Sequence, residues 1–259
     1  MSDYQIFKRL NSFLLEGKVV VLCTITGKIG SGPREPGAKM LISPDGETFG
    51  TIGGGDMERR LIEKALEVIR NGIPKELSFS LGSPMREGVI QVNSKCGGEV
   101  KVFMDLIKPE PRLIILGSGL IAQAVARYAK DCSFEVIVID DAKTARKENF
   151  KGILLFKDKY PDSLKNLDIK PSDYLAILHG ETEFEIAGLR FAVEQNPAYI
   201  GLLGSINKRK SLVNQLLKEG FKVEEVEKIK GPIGINIKAK TPEEIGVSII
   251  AELIQLKNS

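Results

Sequence analysis

Hydrophobic positions along this chain follow two periods that alternate with glycine-rich breaks. Residues 3–15 and 56–71 repeat apolar side chains at helical spacing. In the second segment Met57, Leu61, Ala65, Val68 and Ile69 share one face, and Gly72 stands where a left-handed cap ends a helix. Residues 18–26 (KVVVLCTIT) are a β-branched run and are expected to form a buried strand. Residues 27–37 (GKIGSGPREPG) hold four glycines and two prolines, which predicts a loop. Short strands at 38–43 and 47–51 flank the turn Pro44-Asp45-Gly46. Strand-like segments at 76–81, 89–93 and 99–107 complete an α+β unit.

The pattern changes at Lys108-Pro109-Glu110-Pro111, where two prolines oppose both helix and central strand. Two domains are expected, 1–108 and 109–259. The second alternates short apolar strands (112–116, 135–140, 152–156, 174–178 and 199–203) with helices at 120–130, 183–195 and 208–219. Near the end, Thr241 caps a last helix, Pro242 takes its first position and Glu244 closes a capping box. Short apolar strands between helices imply a parallel sheet buried on both faces. The predicted class is α/β, an amino-terminal α+β domain followed by a Rossmann-like parallel-sheet domain.

Composition narrows the function. At 259 residues the core needs no disulfide or metal staple. The net charge is +3 with interleaved signs and no basic run, so nucleic acid is not an expected partner. No apolar run reaches the ~18 residues of a membrane helix, and MSDYQIFKRL does not read as a secretory signal. Cys23, Cys96 and Cys132 are sparse and unclustered, and His179 is the one histidine. A reducing, cytoplasmic setting is expected, and a multi-His zinc site is excluded.

Several segments carry candidate chemistry. Gly117-Ser118-Gly119-Leu120-Ile121-Ala122 follows a strand and opens a helix, the context of a phosphate-binding fingerprint. Asp140 closes the next strand, where a ribose-binding acid would sit. Gly204-Ser205 and His179 each follow a strand, at the edge where open α/β sheets bind ligands. Lys208, Arg209 and Lys210 either favour an anion there or form a solvated helix face. The imidazole of His179 can bond a ligand or exchange a proton. Gly53-Gly54-Gly55 runs into a helix start and reads either as an anion-binding nest or as a plain tight turn. Arg34 and Lys39 flank the facing glycine loop. Cys96-Gly97-Gly98 reads as an accessible thiol for soft metal or sulfur, or as a bulge with an inert cysteine. Cys23, inside an apolar strand, is expected in the core.

The segments GSGPREPGAKMLI (30–42), IGGGDMERRLIEKAL (52–66), CGGEVKVFMD (96–105), RLIILGSGLIAQAVA (112–126), YIGLLGSINKRKSLVNQLLKEGF (199–221) and GPIGINIKAKTPEEIGVSIIAELI (231–254) resemble the xanthine dehydrogenase accessory factor family (XdhC/CoxI). The resemblance implies a maturation factor. It would bind molybdenum cofactor (molybdopterin), assist its sulfuration and insert it into a xanthine dehydrogenase-like molybdenum hydroxylase apo-enzyme. A cysteine desulfurase-type sulfur donor is an implied partner, and a homodimer stays open. The cofactor would lie on Gly53, Gly54, Gly55, Gly117, Ser118, Gly119, Asp140, Gly204 and Ser205, with Cys96 at the metal or sulfur and His179 in the chemistry. Many relatives have Cys directly after Gly-Gly-Gly, whereas this chain has Asp56, so Cys96 is the matched family cysteine. The alternative is an NAD(P)-dependent oxidoreductase in which Asp140 holds the ribose and His179 is acid/base. A third reading makes the Rossmann domain only a docking scaffold.

Overall fold

The computed structural model describes residues 1–82, 88–93 and 97–258. Contacts divide the chain into two units, Met1–Pro109 and Glu110–Ser259.

The first unit runs α1 (Asp3–Leu15), β1 (Val20–Ile29), β2 (Lys39–Ile42), β3 (Thr48–Gly50), α2 (Gly55–Asn71), β4 (Lys75–Leu81), β5 (Val89–Val92) and β6 (Glu99–Ile107). Its strands form one mixed sheet in the order β3-β2-β1-β6-β4-β5. Strand alternation assigns the two faces. Val21, Cys23 and Ile25 of β1 join Met57, Leu61 and Ala65 of α2 in one core. Val20 and Leu41 join Ile6, Leu10 and Phe13 of α1 in another. Cys23 is fully buried, as expected, and burial pushes its thiol up, away from reactivity. Strand β1 is longer than its sequence suggests. Gly27, Lys28 and Ile29, expected in a loop, pair with Lys101, Val100 and Glu99 after a bulge between Ile25 and Gly27. The glycine that reads as a loop former is the residue a bulge tolerates.

The second unit runs β7 (Arg112–Leu116), α3 (Leu120–Asp131), β8 (Glu135–Ile139), β9 (Leu154–Phe156), β10 (Tyr174–Ile177), α4 (Thr182–Gln195), β11 (Tyr199–Leu202), α5 (Ile206–Lys218), α6 (Val223–Val226), β12 (Ile229–Lys230) and α7 (Pro242–Lys257). All strand pairs are parallel, in the order β9-β8-β7-β10-β11-β12. Counted within the unit, this is the doubly wound order 3-2-1-4-5-6, which reverses direction between β7 and β10. Both faces are covered. Leu113 and Ile115 pack with Ala122, Val125, Ile249 and Leu253 of α3 and α7. Ile114 and Leu116 pack with Leu189, Leu212 and Leu216 of α4 and α5. The expected capping box is present, with Thr241 Oγ1 accepting from the Glu244 amide at 3.2 Å and Glu244 accepting from the Thr241 amide at 3.1 Å.

At the amino-terminal ends of β7 and β10, Arg112 donates from Nε to Asp173 Oδ1 at 2.8 Å and from its terminal nitrogen to Oδ2 at 2.5 Å. Asp173 is fully buried and also accepts the Lys170 amide at 2.7 Å. Removing one member of such a pair leaves a largely buried charge uncompensated, at a cost of roughly 3–5 kcal/mol. Asp173→Ala should therefore lower unfolding free energy by about 3 kcal/mol in denaturant titrations, and a loss under about 1 kcal/mol would refute this role.

Candidate functional site

The reversal between β7 and β10 opens a crevice at their carboxyl ends, the place where doubly wound sheets bind ligands. Gly117 lines it with φ +118° and packs against the next strand's exit. A side-chain carbon there would lie 2.9 Å from the His179 amide nitrogen and the Leu178 carbonyl. Gly119 precedes α3 in extended conformation, and no side chain caps that helix. A carbon added at Gly119 meets nothing within 4 Å, and Leu120 is exposed. The amino end of α3 thus presents partial positive charge to open space.

Ser118, Asp140 and His179 form one buried network. Ser118 Oγ donates to Asp140 Oδ2 at 2.7 Å and lies 2.6 Å from Thr144 Oγ1. The Ala142 amide donates to Asp140 Oδ1 at 3.1 Å, and His179 Nε2 stands 3.5 Å from the same oxygen. Burial alone would raise the Asp140 carboxyl. Bonds from His179, Ser118 and the Ala142 amide outweigh it and hold the group below the usual range. The hydrogen bond to Asp140 raises His179 against burial, with Glu181 and Glu185 adding to the rise. The imidazole is flanked by the rings of Phe184 at 4.7 Å and Tyr160 at 5.6 Å. Asp140 therefore enters the site with its oxygens already engaged inside the protein, and a ribose hydroxyl would have to displace those partners.

The neighbouring turn at Gly204-Ser205 is built differently. Ser205 caps α5, accepting the Lys208 amide at 3.2 Å, and Gly204 adopts φ +147°. A side chain at Gly204 would strike Lys208 Cδ at 2.7 Å. Lys208 is not free for an anion, because its Nζ donates to fully buried Glu185 at 2.6 Å. Arg209 Nε donates to the Ile229 carbonyl at 2.6 Å and so serves the fold. Lys210 remains on the exposed face. Glu185 escaped the sequence reading. Its spacing from Leu189 and Ala192, four and seven residues on, is the signal that places it on the buried side of α4. Glu185 Oε2 and His179 Nδ1 are buried without hydrogen-bond partners, so this edge keeps unused polar capacity.

In the first unit, Gly53-Gly54-Gly55 lies at the carboxyl end of β3. The Ile52 and Gly53 amides donate to Glu58 Oε1 at 3.0 and 3.2 Å, and Thr51 Oγ1 donates to it at 2.6 Å. A guest anion would thus meet a carboxylate at the turn's first amides. Pro33 from the facing glycine loop packs on Gly53, whereas Gly54 and Gly55 face open space. A cavity of about 200 Å³ follows, lined by Pro33, the three glycines, Asp56 and Asn93 among others. Asp56 accepts the Asn93 amide at 3.2 Å and pairs with Arg59 and Arg60, which together hold its carboxyl down at about 2. It is an ionised tether. Lys39 is spent on Asp3 and the Gly37 carbonyl, while Arg34 is exposed. Cys96 lies outside the described residues. The Gly97 amide donates to the Leu81 carbonyl at 2.6 Å. Among the described residues no group of three His, Cys, Asp or Glu side chains could hold a metal ion, and no helix is long and apolar enough to cross a membrane.

Comparison with known proteins adds relatives to this geometry. The family model for the XdhC Rossmann domain matches residues 113–253, and that for the XdhC and CoxI family matches residues 14–80. YqeB of Escherichia coli K12 is 33% identical over 92% of this chain, which spans 43% of YqeB. The molybdenum cofactor insertion chaperone PaoD of Escherichia coli K12 is 23% identical over 94% of this chain and 85% of its own length. A probable xanthine dehydrogenase subunit of Bacillus subtilis is 31% identical over 60% of this chain and 46% of its own length. Thus the chain spans less than half of two of these relatives. Among solved structures, a xanthine dehydrogenase from Bacillus halodurans superposes with TM-score 0.53 at 23% identity, over 99% of this chain and 96% of that one. That likeness supports the fold.

The Asp140–His179 pair makes a signed pH prediction. A raised His179 stabilises the fold fully below about pH 6.5, and that contribution is lost as pH rises through its folded value. A lowered Asp140 stabilises above about pH 3.9 and is lost as pH falls through its folded value. The pair is therefore most stabilising between about pH 4 and 6.5. The melting-temperature gap between wild type and His179→Asn should be wider at pH 5.5 than at pH 8.5. A gap independent of pH would contradict the pairing.

Proposed function

Because the chain belongs to the XdhC and CoxI family, we propose that it carries molybdenum cofactor to a xanthine dehydrogenase-type apo-hydroxylase and takes part in its maturation. The observation that carries this reading is the open amino end of α3. Gly119 adds no side chain there, and among the described residues no side chain caps the helix. An uncapped helix amino terminus suits the phosphate of a pterin cofactor. Gly204 and Ser205 continue the same sheet edge, and the relative named as an insertion chaperone supports the cargo. The network of Ser118, Asp140 and His179 positions the turn, with His179 as the proton-exchanging group beside it.

In the first unit, Gly54 and Gly55 offer open backbone beside the cavity at Asp56. Cys96, two residues before Gly98 in sequence, is the thiol we assign to the metal or its sulfur. In this reading a cysteine desulfurase-type donor supplies sulfur, and the cofactor is handed over sulfurated. The oxidoreductase alternative finds less support, because its ribose-binding acid, Asp140, is already bonded to Ser118 and Ala142 and faces His179.

Gly119→Trp tests the reading without breaking the fold, since the position has ordinary φ and free space. It should leave the melting temperature within a few degrees and reduce cofactor transfer to apo-hydroxylase at least tenfold. Cys96→Ala should weaken the yield of sulfurated, active hydroxylase. Undiminished transfer by a folded Gly119→Trp protein would remove the α3 terminus from the function.

A further inference from the structure

Beyond the phosphate-type terminus, the carboxyl-terminal edge of the second unit holds an apolar cavity of about 630 Å³. It lies between the exit of β11 and residues 232–239. Leu203, Ile206, Pro232, Ile233, Ile235 and Ile237 supply its apolar lining. Its size falls within the range of small-molecule sites, roughly 300–1,000 Å³.

The cavity is held open by a braced wall. The Ile233 amide donates to the Leu202 carbonyl at 3.0 Å, and the Ile235 amide to the Ser248 carbonyl at 3.2 Å. Ser248 Oγ donates to the Ile235 carbonyl at 2.6 Å. The Gly234 amide donates at 2.5 Å to Glu252, a buried carboxylate that also accepts the Tyr199 hydroxyl at 2.8 Å. Gly234 has φ +96°, and a side chain there would collide with Ser248 Oγ. Gly201 is needed for the same reason, since Ile233 fills the space its side chain would take. A segment tied down at four points, two of them glycine-dependent, is preformed rather than adaptable.

This braced wall nonetheless leaves apolar surface in water. Ile206, Ile235 and Ile237 are 58%, 39% and 46% exposed. Polar capacity stands beside them. Asn236 Oδ1 accepts the Lys238 amide at 3.2 Å, and its amide nitrogen has no partner among the described residues. Lys238 forms no ion pair among them. The wall also shares its core with the phosphate-type terminus: Leu203, Ile233 and Ile245 pack in the same cluster as Ile121 and Ala122 in the first turn of α3. Gly246 of α7 faces Ala124 of α3, with an added carbon only 3.0 Å from the Ala124 side chain.

We propose that this cavity seats the flat heterocyclic ring of the anionic guest, while the α3 terminus takes its phosphate. The inference rests on the cofactor-carrier reading and extends it to the ring-binding half of the site. Apolar side chains cover the ring faces, and Asn236 and the backbone around it meet the ring's polar edge. A two-part site of this kind accepts a ring without phosphate weakly and a ring with phosphate more tightly.

The test uses the full chain and the intrinsic fluorescence of pterins, which no tryptophan obscures because the chain has none. Neopterin and neopterin monophosphate serve as probes. Ile237→Asp should weaken both at least tenfold, with Ile206→Asp as a second variant, and both substitutions sit at exposed positions that keep the melting temperature. Gly119→Trp should weaken only the phosphate-bearing probe. If Ile237→Asp and Ile206→Asp bind both probes like wild type while Gly119→Trp loses the monophosphate, the ring seat is wrong and the carrier reading stands. If wild type binds neither probe, both fall.

Discussion

The carboxylate of Asp140 ties three strand exits of the parallel sheet together. One oxygen takes the Ser118 hydroxyl after β7, and the other faces His179 after β10 while accepting the Ala142 amide after β8. The contact works only because Gly117 lets the first exit run against the backbone of Leu178 and His179. A side chain there would open the crevice by pushing β7 and β10 apart. The open terminus of α3 and the direction of its first amides follow from that close approach. The acid that reads as a ligand for a sugar also braces the turn that would meet a phosphate.

Glycine serves two different ends in this chain. At 117, 201 and 234 it permits packing that any side chain would prevent. At 54, 55 and 119 it leaves backbone open. Candidate binding surface belongs with the second group, while the first makes the walls rigid. Charges divide in the same way. Lys208 and Arg209, which look like an anion cluster, are committed to Glu185 and to the Ile229 carbonyl. Glu58 turns its carboxylate into the Gly53 turn. Lys208 and Arg209 are thus spent on the fold rather than on a guest beside the helix terminus.

The fold was legible where periodicity was strong. Residues 56–71 and the Thr241–Glu244 capping box declare their helices through spacing alone, and the alternation of short apolar runs after residue 111 declares a parallel sheet. Strand β12 was missed because two residues carry no period. Gly27 concealed the end of β1, since a bulge and a loop have the same composition. In the site, the glycine turns and His179 could be located from their positions after strands. Their partners could not. Whether Asp140 faces a sugar or Ser118, and whether Lys208 faces a guest or Glu185, depends on side-chain direction across strands far apart in sequence. The cavity beside β11 was invisible for the same reason, because only the fold brings residues 203–206 against 232–239.

The central claim is that this edge grips a phosphate-bearing pterin. Purification of the full chain from a host that makes molybdenum cofactor, followed by mass spectrometry of the released small molecule and a molybdenum assay on the same sample, addresses it directly. A molybdopterin species near one per chain is the expected result. A nicotinamide dinucleotide in its place, or protein that remains free of any pterin under those conditions, would contradict it.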